Sequence, residues 1–269
     1  MGRNTTLLAT AVATLLAAAA APGQEAVTRD LGEGANPESA ACTYSFTASN
    51  IKWCLNANGN LVSLRSPGEV EHIRWGPAPG YAIEGYILCV NMALKAYDNA
   101  YAGMGFGPPT VIVAKTATGI TIRRKTLDGT FQLDQKWSRD NTERDLTVQM
   151  TLKNLGPAVG NVVLWRVADV NVDFSIDLTY PDRYDRTRLT AWFRDPVNGR
   201  DGVTMKVLTL NQINGVFIQP FTSGVSCSTL AEPPLPSVAP VDVMGKLGYG
   251  FATMTGGSQK VVKVGYRVE

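Results

Sequence analysis

Histidine is nearly absent: His72 is the only one in 269 residues. Any metal site or acid-base mechanism that needs two imidazoles is therefore excluded. Charge is sparse too, at 18% of residues, and 25 lysines and arginines against 23 aspartates and glutamates leave a net of +2. No long run of either sign occurs along the chain. Polyelectrolyte partners are thereby disfavoured, and no nucleic-acid partner is expected. The chain has no Cys-x-x-Cys spacing for zinc and no Gly-x-Ser-x-Gly elbow for a serine nucleophile. Its glycine-rich stretch, Gly103 to Pro109, sits among strand-like segments without a following helix, so it does not match a dinucleotide fingerprint. After Ala21 no apolar run approaches the ~20 residues needed to span a bilayer as a helix, so no integral membrane segment is expected in the mature chain.

The first 21 residues carry one arginine near the amino terminus and then an uncharged apolar run from Leu7 to Ala21 that ends in small side chains. Such a run is too short to span and reads as a signal peptide, so the protein is expected to be secreted or otherwise extracytoplasmic. Residues 22–40 have few large apolar side chains and are expected to form a flexible leader before a single domain over 41–269. The four cysteines, Cys42, Cys54, Cys89 and Cys227, are an even set in an exported chain, which favours disulfides. Three pairings are open. The preferred one joins Cys42 to Cys54, which stand in strand-like segments separated by a short turn, and Cys89 to Cys227.

Apolar residues make up 45% of the chain, enough for a substantial core, and their period is that of strands. Leu146, Val148, Met150 and Leu152 alternate with Thr147, Gln149 and Thr151. From Val162 to Leu178 one face is apolar except for Arg166, and the other changes from Val163, Trp165 and Val167 to Asp169, Asn171, Asp173 and Asp177. One strand, or two joined by a bulge, is expected there, running from a covered to an exposed part of a sheet. Further strands are expected over 44–48, 61–64, 81–90, 110–114, 120–124, 131–137, 189–193, 203–210, 249–255 and 261–268. Turn signals at Asn58-Gly59, Asp128-Gly129, Gly156-Pro157 and Gly256-Gly257 separate several of them. Between Val90 and Tyr101 helical and strand spacings compete. The expected fold is all-β, a large antiparallel β-sandwich with few or no helices after the signal peptide.

Three stretches carry a resemblance: Asn58 to Leu64 near the start, LTVQMTLKNLGPAVGNVVLWRVADVNVD in the middle, and GYGFATMTGGSQKVVKVGYRVE at the end. They resemble, in turn, the opening hairpin, the pair of long strands around an Asn-x-Gly turn, and the closing hairpin of the galactose-mutarotase-like β-supersandwich. That fold is seen in secreted bacterial carbohydrate-active families. The resemblance implies a supersandwich and a sugar-facing surface. It carries no catalytic residue across, because mutarotases use a pair of histidines and only His72 is present.

Asp169, Asn171, Asp173 and Asp177 share one strand face and suggest calcium. Alternate strand residues lie about 6.6 Å apart, so three in a row do not surround one ion, and no cofactor is expected. Paired carboxylates for glycoside hydrolysis could come from Glu69, Glu71, Glu84, Asp169 and Asp173. Among the aromatics, Trp75, Tyr81, Tyr184 and Trp192 lie near glycines, prolines or charges and suit stacking on sugar rings, while Trp137 and Trp165 fit buried positions. Arg166, on an otherwise apolar face, requires a carboxylate partner if it is buried. The expected ligand-binding set is Trp75, Tyr184, Trp192, Asp169 and Asp173, with no catalytic residue. These features point to a protein that binds an extracellular glycan without converting it. A carboxylate-based glycoside hydrolase or lyase is one alternative, and a structural component of the envelope or matrix is another.

Overall fold

The computed structural model describes residues 42–48, 50–66, 71–74, 84–99, 103–139, 144–169, 182–185, 190–194, 202–209, 213–220, 227, 238–239 and 243–268. Nineteen strands are present among them. In chain order they are β1 (Tyr44–Thr47), β2 (Lys52–Leu55), β3 (Leu61–Arg65), β4 (Glu71–Arg74), β5 (Glu84–Val90), β6 (Ala93–Asn99), β7 (Gly103–Met104), β8 (Thr110–Val113), β9 (Gly119–Lys125) and β10 (Phe131–Arg139). Then come β11 (Asp145–Asn154), β12 (Val159–Asp169), β13 (Asp182–Asp185), β14 (Thr190–Arg194), β15 (Gly202–Val207), β16 (Ile213–Pro220), β17 (Val238–Ala239), β18 (Val243–Met254) and β19 (Gln259–Val268).

They form three antiparallel sheets. A four-stranded meander runs β1-β2-β3-β4, a nine-stranded sheet has the order β17-β13-β14-β15-β19-β11-β10-β9-β8, and a six-stranded sheet has the order β16-β18-β12-β5-β6-β7. All three wall one core. Trp53 and Leu64 come from the meander, Tyr86 and Leu164 from the six-stranded sheet, and Trp137, Val148 and Tyr266 from the nine-stranded sheet. The strict in-out alternation of β11 and β10 follows from this, since only one face of the nine-stranded sheet meets the core. The six-stranded sheet is covered on both faces. Trp165 and Val167 join Ile87, Cys89, Tyr97 and Cys227 in a second apolar cluster, which explains why β12 is apolar on both sides.

The two disulfides join Cys42 to Cys54 and Cys89 to Cys227, the pairing preferred from the sequence. Among the described residues no helix is long and apolar enough to cross a membrane.

Two sheet-crossing corners, β11 to β12 and β18 to β19, lie side by side and are tied by Asn154. Its side-chain amide donates to the carbonyls of Pro157 (2.7 Å) and Met254 (2.9 Å) and its Oδ1 accepts from the Gly156 N–H (3.0 Å). Trp137 and Trp165 are buried, as their spacing suggested. Of the segment where two periods compete, residues 90–99 are described and belong to a hairpin: β5 and β6 are joined by Asn91 and Met92, with Val90 opposite Ala93, and Tyr101 lies outside the described residues. The strand expected from Val162 begins at Val159 and is described as far as Asp169, and residues 170–178 of that expectation lie outside the described residues. Strands β2, β4, β6, β7, β13, β16 and β17 have no expected range of their own; each is short or has weak alternation, and each is held by its neighbours' backbone.

Candidate functional site

The tip of the β2-β3 hairpin inserts between the other two sheets. Asn56 and Asn60 at that tip are fully buried, and the turn closes by the Gly59 N–H donating to the Asn56 carbonyl. Gly59 has φ +86°, and a Cβ there would lie 2.7 Å from the Gln135 side-chain nitrogen, so the position requires glycine on both counts. The tip's own carbonyls receive donors from the nine-stranded sheet: Gln135 Nε2 donates to Asn58 O (3.0 Å) and Trp137 Nε1 to Gly59 O (2.9 Å).

Around this tip lies a buried ionic network. Arg166 of β12 is bidentate to Glu84 of β5, its Nη2 donating to Oε2 at 2.6 Å and its Nε to Oε1. Glu84 also accepts from the Tyr266 hydroxyl (2.5 Å) and the Leu61 N–H (2.8 Å), while Arg166 Nη1 donates to Gln135 Oε1 (2.8 Å). The guanidinium lies 5.0 Å from the Trp137 ring centre and 5.7 Å from that of Tyr86. A second pair, Arg124 with Asp98, is joined to the first through Asn60, whose amide donates to Asp98 Oδ1 (2.8 Å), and through the Tyr86 hydroxyl (3.4 Å from Arg124 Nη1). Arg124 also donates to the carbonyls of Gly107 (2.8 Å) and Phe106 (3.1 Å).

Burial pushes the Glu84 carboxyl above its ordinary value, against the opposing pull of Arg166, the Tyr266 hydroxyl and the Leu61 N–H. Burial, reinforced by the Glu84 charge, holds the Tyr266 phenol well above its usual range, so it stays neutral and donates. Four donors reach the two Glu84 oxygens, which fills the capacity of a carboxylate. Glu84 therefore departs from its expected place among free acids for hydrolysis. Its lone pairs are engaged, it has no exposed surface, and its work is to hold three sheets to one another.

Arg166 has the buried carboxylate partner that its position demanded. Gln135, Tyr266, Arg124 and Asp98 were not foreseen, although one signal marks two of them. Gln135 stands on the inward face of Phe131, Leu133 and Trp137, and Arg124 on that of Ile120 and Ile122, so each is a polar residue at an apolar parity.

Of the expected ligand-binding set, Trp75 and Asp173 lie outside the described residues, as do Tyr81 and Asp177. Asp169 is the last residue of β12, opposite Met244 in the six-stranded sheet. Tyr184 in β13 stands opposite Ala191, and Trp192 in β14 stands opposite Arg183, both in the nine-stranded sheet. These are neighbouring register positions of alternate parity, and Asp169 belongs to a different sheet. Glu71 and His72 fall in β4, and Glu69 lies outside the described residues. Among the described residues no group of three His, Cys, Asp or Glu side chains is arranged to hold a metal ion.

No family model and no curated protein matches the sequence. Solved structures do. A bacterial glucoamylase complexed with acarbose superimposes with a TM-score of 0.60 at 11% identity, over 85% of this chain and 32% of the glucoamylase. A protein classed as an aldose 1-epimerase from Escherichia coli K12 does so with a TM-score of 0.54 at 10% identity, over 85% of this chain and 99% of the other. The chain thus spans about a third of the first protein and nearly all of the second. At these identities the likeness is one of fold, and three antiparallel sheets around one core are the β-supersandwich of galactose-mutarotase-like proteins that the sequence resembles.

Proposed function

We propose that this protein is an exported, disulfide-stabilised sandwich that binds an extracellular carbohydrate without converting it. The observation that carries the reading is the fold shared with two proteins named for work on sugars, a glucoamylase and an aldose 1-epimerase. Two further features support it. Both disulfides fit an oxidising compartment, and Glu84, the one candidate carboxylate of the hydrolase alternative with a described side chain, is fully engaged inside the fold. Trp75, Tyr184, Trp192, Asp169 and Asp173 remain the proposed contacts, rings to stack on a sugar and carboxylates for its hydroxyls, with Tyr184 and Trp192, at alternate parity, acting separately and not as one face.

The test is a glycan array together with thermal shift on the oxidised, secreted protein, run with calcium and with chelator. Reproducible binding to one glycan class, a raised melting temperature and no released sugar are expected. Product release that is lost in Asp169→Ala or Glu71→Ala with the fold retained would replace the reading with the hydrolase or lyase. Absence of any glycan binding, combined with concentration-dependent sedimentation, would replace it with an assembly component.

A further inference from the structure

The outer face of the nine-stranded sheet gathers cations that the sequence scatters. Register places Lys125, Gln132, Lys153 and Gln259 in one row across β9, β10, β11 and β19. Four residues along β10, a second row holds Thr121, Lys136, Gln149 and Lys263. Beyond it Ser138, Thr147 and Gly265 lead to Lys206 of β15. The row between the first two is Arg123, Asp134, Thr151 and Val261, and the last is Asp145, Arg267 and Thr204.

The only carboxylates at these positions are engaged by arginines. Asp134 is bidentate to Arg123 at 2.6 and 2.7 Å, and Asp145 lies 3.2 Å from Arg267. Lys125, Lys136, Lys153, Lys206 and Lys263 have no carboxylate partner among the described residues. Over β9, β10, β11, β15 and β19 seven cations therefore face two acids, in a chain whose net charge is only +2, and the same rows continue into β13 with one residue of each sign, Arg183 and Asp185. Strands about 4.8 Å apart put Lys136 and Lys263, two strands from each other, ~9.6 Å apart, near the length of two sugar units in an extended chain.

We propose that this face binds an acidic polysaccharide, a polyuronate laid across the strands, an inference that rests on the glycan-binding reading above. Its carboxylates meet the lysine ammonium groups, and its hydroxyls meet Gln132, Gln149, Gln259, Thr147 and Thr151 interleaved with them. Single-stranded nucleic acid fits less well, because base stacking needs a series of aromatic side chains and the outward positions of β9, β10, β11, β15 and β19 have none, Trp192 of β14, opposite Thr204, lying beyond the lysine rows. An anionic bilayer fits less well too, since the exposed apolar side chains at this face, Val113 opposite Thr121, Leu208 against Gly265 and Val261, are single aliphatics on different strands with no aromatic among them to insert.

Binding is measured with polygalacturonate at about 50 mM and about 300 mM salt, with its methyl ester as the uncharged control. The wild type is expected to bind the acid form only, and at least about tenfold more weakly at the higher salt. The triple variant Lys136→Gln/Lys153→Gln/Lys263→Gln should lose at least about tenfold in affinity with its melting temperature unchanged, and the matching triple arginine variant should keep its affinity. Wild-type affinity in the glutamine triple overturns the proposal. Single-stranded DNA or phosphatidylserine vesicles that bind as tightly as polygalacturonate, with the same loss in the triple, overturn the assignment to a glycan. Binding of a neutral glycan on the array without binding of polygalacturonate removes this inference alone, whereas failure of every glycan removes the reading beneath it as well.

Discussion

Glu84 and Arg166 are both fully buried, so each is costly without the other. Removing one partner leaves an uncompensated charge in the core, and Glu84→Ala or Arg166→Ala is expected to lose about 3–5 kcal/mol each. The double variant Glu84→Leu/Arg166→Met removes both charges and should recover most of a single variant's loss. Guanidinium unfolding of the oxidised protein measures the cycle, and strictly additive losses would show that the two do not act as a unit. Asp128, in the turn between β9 and β10, has the opposite tendency. Partial burial pushes its carboxyl up, but Lys95, the Thr126 hydroxyl and the Thr130 N–H outweigh it and hold the group below its usual value. A depressed folded value means that the stabilisation is present above the unfolded value of about 3.9 and fades as pH falls through it toward the folded value. The stability gap between wild type and Asp128→Asn is thus expected to be open at about pH 6 and to close on acidification below about pH 4. Glu84 is common to both proteins, so its own titration cancels from the difference.

At the scale of the element, the β5-β6 hairpin turns on two residues in the left-handed region, Asn91 at φ 50° and Met92 at φ 63°. Such a pair suits Asn-Gly, and a left-handed methionine costs roughly 1–2 kcal/mol. Met92 is exposed, so nothing in the core depends on its side chain. Met92→Gly should therefore raise stability by up to about 1 kcal/mol, part of the gain being offset by the freer unfolded chain. A drop in the denaturation midpoint would show that the turn does not need this geometry. The same pair explains why the hairpin was hard to read. Gly59, Gly129 and Gly257 have positive φ at turns that Asn-Gly, Asp-Gly and Gly-Gly announce, whereas Asn-Met announces none. β11 is plain in the sequence because one of its faces meets water. β4 and β13, with EHIR and DRYD, offer little alternation to read. The network was half readable for a similar reason. Arg166 betrays itself by parity, but Glu84 is 82 positions away and is assigned to it only by the β5-β12 register. The lysines of the outer face are dispersed over five strands and show no run in the sequence, which is why its charge pattern pointed away from a polyanion.

At the scale of the whole molecule, the two disulfides do different work. Cys42 and Cys54 are 12 positions apart and staple one end of the meander, while Cys89 and Cys227 are 138 apart and cover the outer face of the six-stranded sheet. On the chain-entropy argument the longer loop contributes about 5 kcal/mol and the shorter about 3 kcal/mol. The second cluster widens that difference. Ile87, Tyr97, Trp165 and Val167 pack with Cys227, so untethering the segment that carries it also loosens the cover over two aromatic rings. Cys89→Ala/Cys227→Ala is therefore expected to lose at least about 2 kcal/mol more than Cys42→Ala/Cys54→Ala in guanidinium unfolding. It should also gain binding of a hydrophobic dye before the main transition, because one face of the six-stranded sheet opens while the core shared by the three sheets stays closed. Equal losses in the two variants, with no dye binding in either, would mean that the Cys227 segment is held by packing alone and that the long tether adds nothing to the fold.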